Sequence, residues 1–90
     1  MRWKISFSKE ADKTIAKFDK VTRERISEFV NNILPTMENP RSLGKPLHAG
    51  FSGFWRYTVG NYRVIVDIQD KDIVIVVVDV GHRSKIYKSH

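Results

Sequence analysis

Ninety residues are enough for one small domain over 1–90, which on folding hides only about 60–65% of the surface its unfolded chain exposes, so a deep enclosed active-site cavity is not expected. Sixteen Lys and Arg against ten Asp and Glu leave a net charge of +6, which favours a polyanionic partner such as nucleic acid, an acidic protein or a membrane surface. The absence of cysteine excludes disulfides and thiolate chemistry, and three scattered histidines without paired ligands argue against zinc. No metal or cofactor is expected.

WKISF (3–7) alternates like a short strand, and Ser8 is placed to cap a helix over about 9–19 whose Ala11, Ile15 and Phe18 fall on one face. A second helix is predicted from Thr22 through RERISEFVNNIL, with Ile26, Phe29, Val30, Ile33 and Leu34 forming an apolar stripe and Pro35 bending or ending it. Residues 35–53 are rich in Pro, Gly and Ser and read as an irregular connection. FWRYTV (54–59), the pair Gly60-Asn61 and YRVIVDI (62–68) read as a β-hairpin, since Gly at the first loop position suits a type II′ turn. After a turn at QDKD, the run DIVIVVVDV (72–80) is apolar on both faces and belongs inside the sheet.

The predicted class is therefore α+β in the order β-α-α-β-β-β, a twisted, mostly antiparallel sheet with two N-terminal helices packed on one face. MRWKISF lacks the apolar run of a secretory signal, and the valine-rich stretch is too short and too interrupted by Asp to span a bilayer. A cytoplasmic protein with no membrane partner is expected.

The hairpin register sorts the side chains. Trp55, Tyr57, Val59, Tyr62, Val64 and Val66 fall on the core side, while Phe54, Arg56, Thr58, Arg63, Ile65 and Asp67 fall on the other. A hydrophobic core would not accept two guanidinium groups, so Arg56 and Arg63 should border solvent or a ligand, flanked by His82, Arg83, Lys85 and Tyr87 from the C-terminal segment. Taken singly, a strand arginine is more often solvated surface and a terminal tyrosine more often packing; it is convergence on one face that points to a site. Arginine forks match phosphate oxygens and aromatic rings stack on bases, which makes single-stranded RNA the natural guest.

The segments FWRYTVGNYRVIVDI and VGHRSKIY resemble the W-R-x-x-x-G-x-Y-R hairpin and the terminal V-G-H-R-x-x-x-Y signature of the RelE/ParE superfamily of type II toxin-antitoxin toxins. With the two N-terminal helices and the KPLHAG loop, the resemblance covers nearly the whole chain. It implies a RelE-like, microbial-ribonuclease-type fold. Arg-x-x-x-Tyr with an intact Arg63 is similar to the RelE branch, the ribosome-dependent endoribonucleases that cut mRNA in the A site. The ParE branch, which inhibits DNA gyrase without catalysis, and a degenerate toxin acting only through its antitoxin complex are the alternatives.

Carried over by position, the resemblance gives Arg63 and Arg83 to the scissile phosphate, Arg56 to one of the family's basic strand positions, and Tyr87 to stacking or proton transfer; Lys85 joins Arg56, Arg63 and Arg83 as an RNA contact of the same basic surface. Thr58 stands where many RelE-like members carry a second basic residue. The implied reaction is attack of an RNA 2′-hydroxyl on the adjacent phosphorus, giving a cyclic phosphate and a 5′-hydroxyl end without a metal. Histidine is the side chain that titrates near neutrality, so His82 is a candidate for acid-base work. The implied partners are a cognate antitoxin, the ribosome with its A-site mRNA, and operator DNA only through the antitoxin complex.

Overall fold

The computed structural model describes residues 2–47 and 53–83, in the order β1 (Lys4–Phe7), α1 (Lys9–Ala16), α2 (Lys20–Glu28), β2 (Lys45–Pro46), β3 (Trp55–Val59), β4 (Tyr62–Gln69) and β5 (Val74–His82). The five strands form one sheet ordered β1-β5-β4-β3-β2. β1 lies parallel to β5, and every other neighbour is antiparallel. The helices carry the chain from β1 at one edge of the sheet to β2 at the other, and the three antiparallel strands that follow bring β5 back beside β1.

Ser8 does two jobs at the start of α1. Its Oγ accepts from the backbone N–H of Ala11 at 3.0 Å, as an N-cap should, and donates to the Val78 carbonyl at 2.8 Å. The helix is thereby tied to β5 from its first turn. Asp19 caps α2 in the same way, accepting from Thr22, and that hydrogen bonding holds its carboxyl below the usual range.

The second helix is shorter and less regular than its apolar stripe suggests. α2 passes at Phe29–Ile33 into a π turn, closed by the Leu34 N–H donating to the Phe29 carbonyl, and then into a 3-10 turn at Leu34–Thr36 that contains Pro35. The wider turn shifts the helical phase: Val30 and Leu34 are fully buried, but Ile33, expected in the stripe, is 44% exposed. The Pro35 carbonyl then accepts from Trp3 N–H, joining the end of this segment to the start of β1.

The core lies between the helices and one face of the sheet, where Ala11, Ile26, Val30 and Leu34 meet Tyr57, Val64, Val66, Ile75, Val77 and Val80. β3 and β4 pair in the expected register, Val59 with Tyr62, Tyr57 with Val64 and Arg56 with Ile65. Gly60 has φ +60° at the first loop position, and Asn61 is not in the left-handed region, as a II′ turn requires. β2 was not expected. It is a two-residue edge strand inside the Pro- and Gly-rich connection, too short to show alternation and recognisable only by its pairing with β3.

Pairing of β4 with β5 contains one irregularity. Ile65 faces Asp79 and Val66 faces Val77, which leaves Val78 as the extra residue of a β-bulge. Ser8 fastens this point, since its N–H donates to the Val77 carbonyl and its hydroxyl to that of Val78. The bulge reverses the alternation along β5. Ile75 and Val77 point into the core before it, and Val80 points into the core after it.

Candidate nucleic-acid interface

Opposite the helices, the sheet carries rows of residues set by cross-strand pairing. One row runs Lys45, Arg56, Ile65 and Asp79 across β2 to β5. The next runs Thr58, Arg63 and Gly81. Arg56 and Arg63 thus share a face, as the sequence implied, and stand on adjacent rows of neighbouring strands. Both are half-buried, with their Nε atoms removed from solvent, and that of Arg63 has no hydrogen-bond partner. Their planar heads are therefore held close to the sheet. Gly81 places no side chain opposite Arg63.

Ile65 is the one apolar residue of this face that is almost fully covered, 2% exposed, although it lies outside the main core cluster. Its direct neighbours across the sheet are Arg56 and Asp79.

His82 does not join this face. It pairs with Tyr62, on the helix side of the sheet, with its ring edge-on to the tyrosine at 5.6 Å and 83°. Tyr62 in turn packs against Phe18 at 4.9 Å. The expectation that His82 flanks Arg56 and Arg63 is corrected by the Val78 bulge, which sends Gly81 to the arginine side and His82 to the other. The next position in that alternation is Arg83. It is exposed, and its N–H donates to the Asn61 carbonyl at 2.9 Å, so the hairpin turn and the chain after β5 are fastened together beside Arg63. Lys85 and Tyr87 lie outside the described residues.

The loop leading into β2 is docked by three contacts that sequence reading did not single out. The Tyr57 hydroxyl donates to the Pro40 carbonyl at 2.5 Å, and burial pushes this phenol up to about 12. Arg41 makes a two-pronged pair with Asp70 at 2.7 and 3.0 Å, which holds the Asp70 carboxyl below its ordinary value, and its guanidinium lies 5.8 Å from the Trp55 ring centre. Gly44 lies so close to β3 that a Cβ there would come within 3.2 Å of the Tyr57 ring and 3.4 Å of the Arg56 carbonyl. These contacts hold Lys45 in line with Arg56. The signal in the sequence was only a tyrosine on the core side of a strand and an arginine after a proline, and neither names its partner.

Among the described residues no His, Asp or Glu cluster is arranged to hold a metal ion, and no helix is long and apolar enough to cross a membrane.

Two helices on one face of a mixed five-stranded sheet match the small α+β domain of the RelE-like toxins. The chain belongs to the RelE/ParE superfamily of type II toxin-antitoxin toxins: the family described as ParE toxin of type II toxin-antitoxin system, parDE, matches residues 5–87. Toxin RelG of Mycobacterium tuberculosis is 27% identical over 88 residues, spanning 98% of this chain and 99% of its own. The toxin-antitoxin complex RelBE2 of the same organism superposes with a TM-score of 0.84 at 25% identity, covering 94% of this chain and 95% of that one. The archaeal RelE-RelB complex of Pyrococcus horikoshii gives 0.73 at 26% identity, over 94% and 99%.

Proposed function

We propose that this toxin is a ribosome-dependent endoribonuclease that cuts mRNA in the A site and so inhibits translation. The observation that carries the reading is the pair Arg56 and Arg63, fixed by strand register on the face away from the helices, with Arg83 tethered beside it through Asn61.

On this reading the scissile phosphate lies over Arg63 and Arg83. The 2′-hydroxyl attacks phosphorus, the bond to the 5′-oxygen breaks, and the guanidinium groups hold the additional negative charge of the phosphorane. Donors fixed in advance of the reaction are typically worth about 3–4 kcal/mol each in such a role. Arg56 and Lys85 bind the flanking backbone, and Tyr87 stacks on a base or passes a proton. We favour Tyr87 over His82 for proton transfer, because His82 is turned toward Tyr62. An open face with few proton-transfer groups needs a substrate held in line by another body, which is a physical reason for dependence on the ribosome.

A second reading, non-enzymatic inhibition of DNA gyrase, is favoured by the ParE description of the matching family and by Thr58 at a position that is often basic. Cleavage of mRNA on purified ribosomes programmed with a defined A-site codon separates the two. Cleavage by the wild type, lost in Arg83→Ala and without ribosomes, supports the nuclease; no cleavage, together with inhibited supercoiling by gyrase, supports the alternative.

The related structures named above are toxin-antitoxin complexes. We extend that partner to this chain: a cognate antitoxin with an acidic segment fits a toxin of net charge +6, and only their complex would engage operator DNA. Growth rescue by the co-expressed neighbouring gene product tests the pairing, and failure to bind or rescue counts against it.

A further inference from the structure

β2 covers the outer edge of β3 only opposite Trp55 and Arg56. Beyond the end of β2, beside Thr58, lies a half-enclosed cavity of about 140 Å³ lined by Phe29, Leu43, Lys45, Arg56, Tyr57 and Thr58. It is smaller than the roughly 300–1,000 Å³ of a typical small-molecule site, and suits one flat ring.

The lining divides by chemistry. Phe29 is held against Tyr57 with ring centres 5.3 Å apart, and Tyr57 is anchored by Pro40, so that wall is rigid. Leu43, also in the lining, is 60% exposed, a large aliphatic side chain with most of its surface in water. Lys45 and Arg56 are direct cross-strand partners whose side chains leave the sheet on the face away from the helices, with Cβ atoms about 4.5–5.5 Å apart, so the cavity opens around the uncovered edge of β3 from the Phe29–Tyr57 wall to this pair. Thr58 adds its backbone. Val59 and Tyr62 flank a two-residue turn and exchange both hydrogen bonds, so the N–H and C=O of Thr58, one residue back, point away from β4 toward the cavity edge.

An apolar slot with outward backbone groups and two cations at its rim complements a nucleobase joined to its phosphate. We propose that this cavity is the subsite for a nucleotide flanking the scissile one: its base lies between Leu43 and Phe29, its edge is read at Thr58, and its phosphate bridges Lys45 and Arg56. The subsite rests on the RNA-binding reading given above. It makes Leu43 and Thr58 determinants of base preference and Lys45 a phosphate ligand. The Arg41–Asp70 pair and the close approach of Gly44 hold this wall in place before RNA arrives.

The test is fluorescence anisotropy with labelled 2′-O-methyl RNA trinucleotides, which cannot undergo 2′-hydroxyl attack, varied at the flanking base. Leu43 and Lys45 are exposed, so their alanine variants should fold. Lys45→Ala should weaken binding for all bases alike and lower the slope of log affinity against log salt by about 0.7. Leu43→Ala should shrink the spread of affinities among bases by about threefold to tenfold. Unchanged affinity, salt slope and base spread in both variants overturn the subsite, as does failure of the wild type to bind RNA. So does an effect of both substitutions on antitoxin affinity alone. Ribosome cleavage by the wild type, measured in parallel, separates the two ideas: cleavage with unaltered variant binding removes only the subsite, whereas the predicted binding pattern without cleavage removes only the nuclease reading.

Discussion

The two faces of the sheet are built from alternate residues of the same strands, yet they obey different rules. On the helix side Tyr57, Val64, Val66 and Val80 are at most 2% exposed and pack against α1, α2 and the turns that follow. On the far side Arg56 and Arg63 are half-buried and Thr58 is exposed, with Ile65 alone sealed between charged neighbours. The first face is made by removing apolar surface from water, and the second spends that advantage to hold cations in fixed positions. Stability and chemistry should therefore be separable by substitution at neighbouring positions.

The largest loss of stability is expected from the helix side. Ile75→Ala, at a position with no exposure, should cost about 2–5 kcal/mol in chemical denaturation. A cost below 1 kcal/mol would mean that β5 is not the packed interior strand described here. On the arginine side the balance reverses: under the proposed nuclease reading, Arg63→Ala should lower single-turnover cleavage on ribosomes by about 100- to 1,000-fold while leaving the denaturation midpoint close to that of the wild type. An unfolded Arg63→Ala would place this residue among the stabilising elements instead.

Tyr57 joins the two faces, because its ring lies in the core and its hydroxyl anchors the loop that carries Lys45. Its folded-state value of about 12 lies above its ordinary one. The unfolded chain therefore loses this proton first as pH rises, and the stability it contributes is complete below about pH 10 and lost through about pH 12. The effect is on the order of 2 kcal/mol, measured as denaturation midpoint against pH. Tyr57→Phe should flatten that dependence and, by leaving the Pro40 carbonyl unpaired, cost about 1–3 kcal/mol at neutral pH. Ser8→Ala should cost about 1 kcal/mol through the lost cap, with faster hydrogen exchange at Ala11 as its local signature. Smallest of all, His82→Ala should leave the single-turnover rate and its pH profile unchanged; a loss of the profile would return His82 to the reaction.

Much of this contrast could be read before any coordinates. The pairing of Arg56 with Ile65 and of Thr58 with Arg63 followed from a two-residue turn at Gly60-Asn61, because hairpin register is set by local turn chemistry and strand period. Ser8 as a cap was legible for the same reason: its donor lies three residues away. The irregular end of α2 was not. A periodic apolar stripe is compatible with a straight helix, and the π turn that exposes Ile33 is visible only in which residues the core accepts. Lys45, too, looked like one lysine in a loop, since the cation beside it is eleven positions away and reaches it only through β2 and β3.

What the sequence by itself determined is what local physics controls: the helix starts, the hairpin, the side of that hairpin that goes inward, and the basic character of the side that does not. The tertiary structure alone decided the parallel docking of β1 on β5, the short β2 edge and the face on which each residue after the bulge emerges. In a run such as VIVVVDV nearly every side chain is apolar, so nothing local marks where the alternation slips by one residue. At the slip, Ser8 from the far end of the chain bonds the carbonyls of both Val77 and Val78. The bulge these bonds fasten is what turns His82 toward the helices and Arg83 to the side of Arg63.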